Sequence, residues 1–599
     1  MKSLLIGSVK AAQNAAEDGL IRNYDQYLTY VPGTAHYCRT QLGIECIDLN
    51  SYLTLNQQTE TFLYIFPLFT ELLLDLDNTN VSVLKSFGSI PELNWYYTFR
   101  HDATYGYVGL VLFDSALRRY LATNQIDHLT LYDSLVPFKP DILSDLRLTI
   151  LRHVTAAAFV TFEAHHQKPP TIRRAINAAL AKSLSWAKHI HTSLRYYAKL
   201  IRFILQAHFF AKASPTIFFD HLYELNYLPL GSLHKLIVPF AEFGTHIPAW
   251  LCPVKLRLPH QIPSSSIDLQ KHSELPYAKQ VADVLTKFFR DHIHEYDAAL
   301  KYTKYLVEKH QIRIAVWGNP PCEISPRSVV IDYLRRLGVC VIGVQHGGNY
   351  GTLELYDTVQ CQTDYLFCDK FLGYGSINLE AFYIPDTGFQ RASMIATGSV
   401  KNYAISQISP NTKRLPIDVL FPMNFSCDIF TGDMFPRADL VLERQLSIIN
   451  FLENCGASVV IKLIKGSLKN RPWNENMLGS FHTIKNLQHC AINDEITLDE
   501  ALLHYYPKLV ILENLGTPLS DSVFHDVEII LFTDPFRFKP HVRTLIEKRV
   551  HLADTFDDFM KLILCFLNGD LPALRNSEFY ETHICPPGNV FDRVLEQLR

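Results

Sequence analysis

Gln345-His346-Gly347-Gly348-Asn349-Tyr350-Gly351 directly follows the β-branched apolar run Val339–Val344. An imidazole in such a place can take a proton from an acceptor hydroxyl or donate to phosphate oxygens. Gln345 and Asn349 can hold a substrate by hydrogen bonds, while Gly347, Gly348 and Gly351 let the backbone turn tightly beside it. A lone histidine is more often structural, but this one stands where a strand gives way to glycines. A second group, Glu513-Asn514-Leu515-Gly516-Thr517-Pro518-Leu519-Ser520-Asp521-Ser522, follows the apolar run Leu509–Leu512. Amides at a helix start, with the Thr517, Ser520 and Ser522 hydroxyls and Asp521 beside them, suit a phosphate group. Glu513 could accept from ribose hydroxyls; an ordinary capped loop is the alternative. Lys462 and Lys465 flank the end of the run Ser458–Leu463, and with Lys469 and Arg471 they could neutralise nucleotide phosphates without a metal. Solvated loop charges would look the same. Asp369, after the strand-like Tyr365–Cys368, reads as an acid/base candidate or a member of a structural salt bridge.

These groups need elements to position them. The run Val339–Val344 reads as a strand buried on both faces, Ile312–Trp317 and Met394–Ala396 read as further strands, and Ser328–Leu337 as an intervening helix. A second series has strands at Asp418–Phe421, Ser458–Leu463, Leu509–Leu512 and Val527–Phe532, after a Ser/Asn/Thr/Pro linker over 404–416. In parallel α/β sheets, ligands bind outside the carboxyl ends of the strands. The expectation is an α/β protein with two Rossmann-like domains facing a cleft (GT-B-like) and a helical basic insertion. Its parts would be an N-terminal α/β region over 1–163, the insertion over 164–309, the rest of the first Rossmann-like domain over 310–403, and a nucleotide-binding domain over 417–599.

Within that insertion, residues 164–219 contain no Asp or Glu, yet carry Arg195, Lys199, Arg202 and six other Lys or Arg among Trp, Tyr and Phe. A basic, aromatic amphipathic surface suits anionic lipid headgroups; a helical pair with a solvated basic face is the alternative. The whole chain of 599 residues has a formal net charge of −4, so no global basic field recruits nucleic acid. None of the 12 cysteines forms C-x-x-C, which favours free thiols in a reducing compartment over a zinc site or disulfide framework. No apolar stretch is long enough to span a bilayer, so a cytoplasmic protein is expected, with any membrane contact peripheral. There is no G-x-x-x-x-G-K-[ST] and no G-x-G-x-x-G after the first strand, which argues against a P-loop and a standard NAD site. No Asp-x-Asp marks a strand end, so no metal and no cofactor are expected.

Gln345-His346-Gly347-Gly348-Asn349-Tyr350-Gly351, with Asp369-Lys370-Phe371-Leu372-Gly373-Tyr374-Gly375 some twenty residues later, resembles a family of bacterial O-antigen biosynthesis transferases. These carry a QHGG-x-YG loop followed by D-[KR]-F-L-x-[WY]-G. The resemblance spans roughly residues 310 to 535. Its wider kin are the capsule and lipopolysaccharide Kdo transferases and the CDP-glycerol glycerophosphotransferases. Where those kin carry a His-Pro or Arg-Pro-His element, this chain has Lys462-Leu463-Ile464-Lys465, which leaves the phosphate-binding residue open. The resemblance implies a metal-independent glycosyltransferase that uses a nucleotide-activated sugar donor and a lipid-linked saccharide acceptor. His346 would face the donor across the cleft and assist acceptor activation or leaving-group departure, with Asp369 as the second catalytic candidate from its place in the sequence. Polyol-phosphate transfer and a non-catalytic nucleotide-sugar-binding scaffold are the alternatives.

Overall fold

The computed structural model describes residues 1–86, 100–132, 146–165, 216–220, 227–228, 235–237, 268, 270–318, 326–354, 364–365, 368–376, 392–408, 415–423, 438–466, 483–484, 486–513, 515–534 and 536–598. Three sheets organise them, and every named strand pair is parallel. The first comprises β1 (Lys2–Ile6), β2 (Gln26–Thr29), β3 (Cys46–Asp48), β4 (His128–Tyr132) and β5 (Thr161–His165), in the order β3-β2-β1-β4-β5. The second comprises β6 (Thr216–Asp220), β7 (Lys235–Ile237), β8 (Ile312–Trp317), β9 (Cys340–Val344), β10 (Lys370–Gly373) and β11 (Ser393–Ala396), in the order β11-β10-β9-β8-β6-β7. The third comprises β12 (Ile417–Pro422), β13 (Val459–Lys462), β14 (Cys490–Asn493), β15 (Pro507–Leu512), β16 (Glu528–Phe532) and β17 (His551–Ala553), in the order β14-β13-β12-β15-β16-β17. Counted within itself, this last order is that of a doubly wound Rossmann sheet.

The parallel α/β class follows from the runs that carry it. The whole of β16 is buried, as is all of β9 after Cys340, and such near-continuous apolar strands need cover on both faces. The domain boundaries differ from expectation. Residues 1–163 do not begin the unit that carries His346. With β4 beside β1 and β5 beside β4, the first five strands close a sheet of their own. The unit with His346 begins at β6, inside the segment expected to be a helical insertion, because β6 pairs with β8. Of the basic stretch 164–219, residues 166–215 lie outside the described residues. The helix Ala278–His310 then leads into β8.

The second and third sheets share one apolar core. Val344, Leu372 and Val400 from one unit pack in the same cluster as Leu512, Leu519 and Val523 from the other. Removing that surface from water favours a fixed seam. The chain's last segment returns across it: the Ser399 N–H donates to the Ile584 carbonyl at 2.9 Å, and Arg593 Nε donates to the Thr397 carbonyl at 2.9 Å. Gly375 permits this crossing. A Cβ there would collide with the Thr582 carbonyl and stand 2.7 Å from the His583 backbone. Among the described residues, no helix is long and apolar enough to cross a membrane.

Candidate functional site

β9 delivers the His346 loop to the carboxyl edge of the second sheet, and β15 delivers the 513–522 segment to the carboxyl edge of the third. The two meet. A Cβ on Gly348 would stand 2.8 Å from Ser520 Cβ and 3.2 Å from the Gly516 carbonyl, and one on Gly347 would be 3.8 Å from Thr517 Oγ1. Glycine at 348 is therefore required by close approach between units. At the loop's far end, Thr352 O accepts from the Lys539 N–H at 3.0 Å, and the Glu354 N–H donates to Arg537 O at 3.0 Å.

Within the loop the side chains divide into braces and presented groups. Gln345 is fully buried; its Nε2 donates to Gly347 O at 2.6 Å and its Oε1 accepts from the Tyr374 N–H at 2.9 Å. Both ends of the amide are engaged, so Gln345, expected to hold a substrate, braces the loop. His346 and Asn349 remain half-buried. The Tyr350 hydroxyl lies 3.0 Å from His346 Nδ1 and 3.3 Å from Nε2. Near-equal distances put that oxygen over the imidazole face and not in line with either nitrogen. The rings stand edge-on at 80°, with centroids 5.6 Å apart. Tyr350, itself fully buried, donates its proton to the buried carboxylate of Asp364.

Asp369 is elsewhere. The strand here is Lys370–Gly373, so Asp369 precedes it and lies at the sheet's amino-terminal edge, opposite His346; of the expected strand Tyr365–Cys368, residues 366 and 367 lie outside the described residues. There it accepts from Arg335 Nε at 3.0 Å and from the Val341 N–H at 2.8 Å. These contacts fit its reading as a member of a structural salt bridge and place it at the sheet edge away from His346.

The second loop is similarly committed. Buried Glu513 accepts from Arg444 Nε and Gln445 Nε2, each at 2.7 Å, while the Arg444 guanidinium covers the Phe532 ring at 4.3 Å. A ribose hydroxyl would have to displace those donors. Asp521 pairs with Lys401 at 2.6 and 2.8 Å, both residues being almost wholly inaccessible. Ser520 and Ser522 are buried and donate their hydroxyls to the Thr517 and Pro518 carbonyls at 2.9 and 2.7 Å. Asn402 Nδ2 donates to Ser520 O at 3.1 Å. Of the expected nucleotide-contacting groups here, Thr517 is half-buried and stands beside the His346 loop. Asn514 lies outside the described residues.

Lys462 ends β13 but is buried, its amine turned to the Leu463 carbonyl and, at 3.5 Å, to that of Asn493. Burial pulls its pKa down to about 8, against the pull of Asp494, Glu500 and Asp499. Those carboxylates make the surroundings a poor cradle for phosphate. Lys465 is exposed and paired with Glu500 at 3.4 Å. Lys469 and Arg471 lie outside the described residues. No cluster of His, Cys, Asp or Glu among the described residues could hold a metal ion. A cavity of about 730 Å³ opens at the other edge of the third sheet, where Pro507 and Val527 stand at the starts of β15 and β16.

Sequence reasoning did not single out Lys401, Asp364 or His583. Tyr350 belongs to the quoted motif, and that was its one signal. His583 is fully buried, with Nε2 2.9 Å from the Gly348 carbonyl. Burial, with Lys539 nearby, pushes its pKa down to about 4, against the stabilising hydrogen bond to Gly348. In the unfolded chain a histidine titrates near pH ~6.5. Between the two values the unfolded state binds the extra proton, so stability falls as pH drops from about 6.5 toward about 4. The expected full loss is about 3 kcal/mol. Urea unfolding between about pH 7 and about pH 4.5 checks it; His583→Gln should flatten the slope, and equal slopes would remove His583 as its source.

No protein-family model matches the chain, and no curated protein matches it in sequence. Among solved structures, it is similar to the Methanocaldococcus jannaschii UDP-GlcNAc 2-epimerase in complex with UDP-GlcNAc and UDP, at 12% identity and a TM-score of 0.38, over 64% of this chain and 98% of that one. It is also similar to S. aureus MnaA with UDP, at 8% identity and a TM-score of 0.39, over 64% and 95%. A third similarity is to the lipopolysaccharide outer core galactosyltransferase WaaB, at 10% identity and a TM-score of 0.29, over 51% and 80%.

Proposed function

We propose that the protein is a glycosyltransferase that moves a sugar from a nucleotide-activated donor to a growing surface polysaccharide. One observation carries the reading: the His346 loop and the Gly516–Ser522 segment, each leaving the carboxyl end of a buried parallel strand, meet across the seam of two Rossmann-like units. That is where ligands bind in such sheets. His346 takes the acceptor hydroxyl's proton. Thr517 contacts the donor through its hydroxyl; Pro518 has no N–H to offer and the Leu519 N–H is already donated to the Gly516 carbonyl. The QHGG-x-YG resemblance supplies the polysaccharide context, and the basic stretch 164–219 supplies contact with anionic lipid near a lipid-linked acceptor.

Thermal unfolding with CMP, CDP, UMP, UDP, GDP and ADP tests the reading. A nucleotide bound at one hundred times its Kd stabilises the folded state by about 2.7 kcal/mol. A rise with CMP indicates an ulosonic-acid donor, and a rise with UDP or GDP a hexose donor. CDP alone would replace the proposal with polyol-phosphate transfer. Binding without turnover of any activated donor would leave a scaffold, and no rise with any nucleotide would reject the reading.

A further inference from the structure

Two consecutive carbonyls follow His346, and each is held by a buried side-chain donor from a different part of the fold. Gly347 O is held by Gln345 Nε2 at 2.6 Å, from the sheet that carries the loop. Gly348 O is held by His583 Nε2 at 2.9 Å, from the helical turn Tyr580–Ile584 that follows the third sheet. A carbonyl oxygen only accepts, so this His583 nitrogen carries a proton. His583 and Gln345 are both wholly inaccessible, and an unmade hydrogen bond there is costly. Phe579 stacks on the His583 ring at 4.9 Å and 22°, which fixes its plane. Ser520 closes the other side of Gly348, leaving no room for even a Cβ. The start of the loop is thus set by its own sheet, and its middle by the returning C-terminal segment.

We propose that His583 is a positioning residue for His346. Its Nε2–H, donated to Gly348, fixes the peptide between Gly348 and Asn349 and so the direction in which His346 presents its imidazole. The catalytic consequence rests on the reading of His346 as proton acceptor; the positioning itself does not. His583 also ties that direction to the arrangement of the two units, because it reaches the loop from beyond the third sheet.

The test is the rate at which diethyl pyrocarbonate modifies His346, followed by peptide mass in wild type, His583→Gln and His583→Leu. Glutamine keeps an N–H near the position of Nε2, whereas leucine fills space without a donor. The leucine variant should change the His346 rate about fivefold, the effect of one neutral hydrogen bond on the loop's population. The glutamine variant should return it toward wild type. Equal rates in all three overturn the proposal. If the leucine variant does not fold, ¹⁵N-histidine spectra of the wild type decide it: a neutral, Nε2-protonated signal lost in His583→Gln supports the role, and an Nδ1-protonated tautomer overturns it. The expected modification pattern in a protein without transferase turnover would reject the proposed function and keep His583's role. Turnover with unchanged modification would do the reverse.

Discussion

Replacing His346 by alanine should lower turnover at least about 10²-fold, the contribution expected of a positioned proton acceptor. The ring is half-buried at the carboxyl end of β9, and its contact with Tyr350 is over the face, so its nitrogens are not consumed in line by that hydroxyl. Tyr350 gives its proton to Asp364, which leaves it an acceptor toward the ring. The loss should fall on kcat, with KM for the donor little changed, because the interaction develops in the transition state. Steady-state kinetics on a lipid-linked acceptor, with the best donor from the nucleotide series, provides the measurement. Turnover near wild type removes His346 from the chemistry. A rise in KM alone would make it a binding group instead.

Lys401→Met costs about 3–5 kcal/mol of stability, because it strands a carboxylate in the interior. Asp521 and Lys401 are almost wholly inaccessible and meet at 2.6 and 2.8 Å. Such a pair gains little over apolar residues of the same volume, but half of it is strongly unfavourable. The double variant Lys401→Met, Asp521→Leu should therefore recover most of the loss. Urea unfolding of the two single variants and the double variant measures the cycle. A cost under about 1 kcal/mol for Lys401→Met would mean that water reaches Asp521 once its partner is gone. The pair joins the helix Val400–Ser406 to the helix Thr517–Ser522, so the loss should loosen the contact between the two candidate loops first.

How far the fold could be read from the chain depended on the range of the interactions involved. β9, β12, β15 and β16 announce themselves as β-branched runs ending in Gly, Asn, Asp or Thr, because a strand buried on both faces tolerates little else. β6 and β7 were legible only after pairing: β6 is five residues long and β7 three, and both fall in a stretch whose composition suggests helix. Asp369 was misplaced because the strand begins after it, at Lys370, and does not end before it. Since the two edges of a parallel sheet are distinct, that difference puts the carboxylate at the amino-terminal edge, opposite His346.

The chain's local pattern was enough to place the His346 loop and the 513–522 segment after buried parallel strands, since strand direction fixes which edge a following loop occupies. It could not show which neighbouring polar groups remain available there. Glu513 is engaged by Arg444 from 69 residues away, Asp521 by Lys401 from 120, and Gly348 by His583 from 235. Whether a carboxylate faces a ligand or a buried cation depends on which helices pack over it, and no periodicity records that. Packing also turned Lys462 inward among carboxylates, away from the phosphate role its position suggested. Burial decides the chemistry here, because a charge removed from water must find its partner inside the fold.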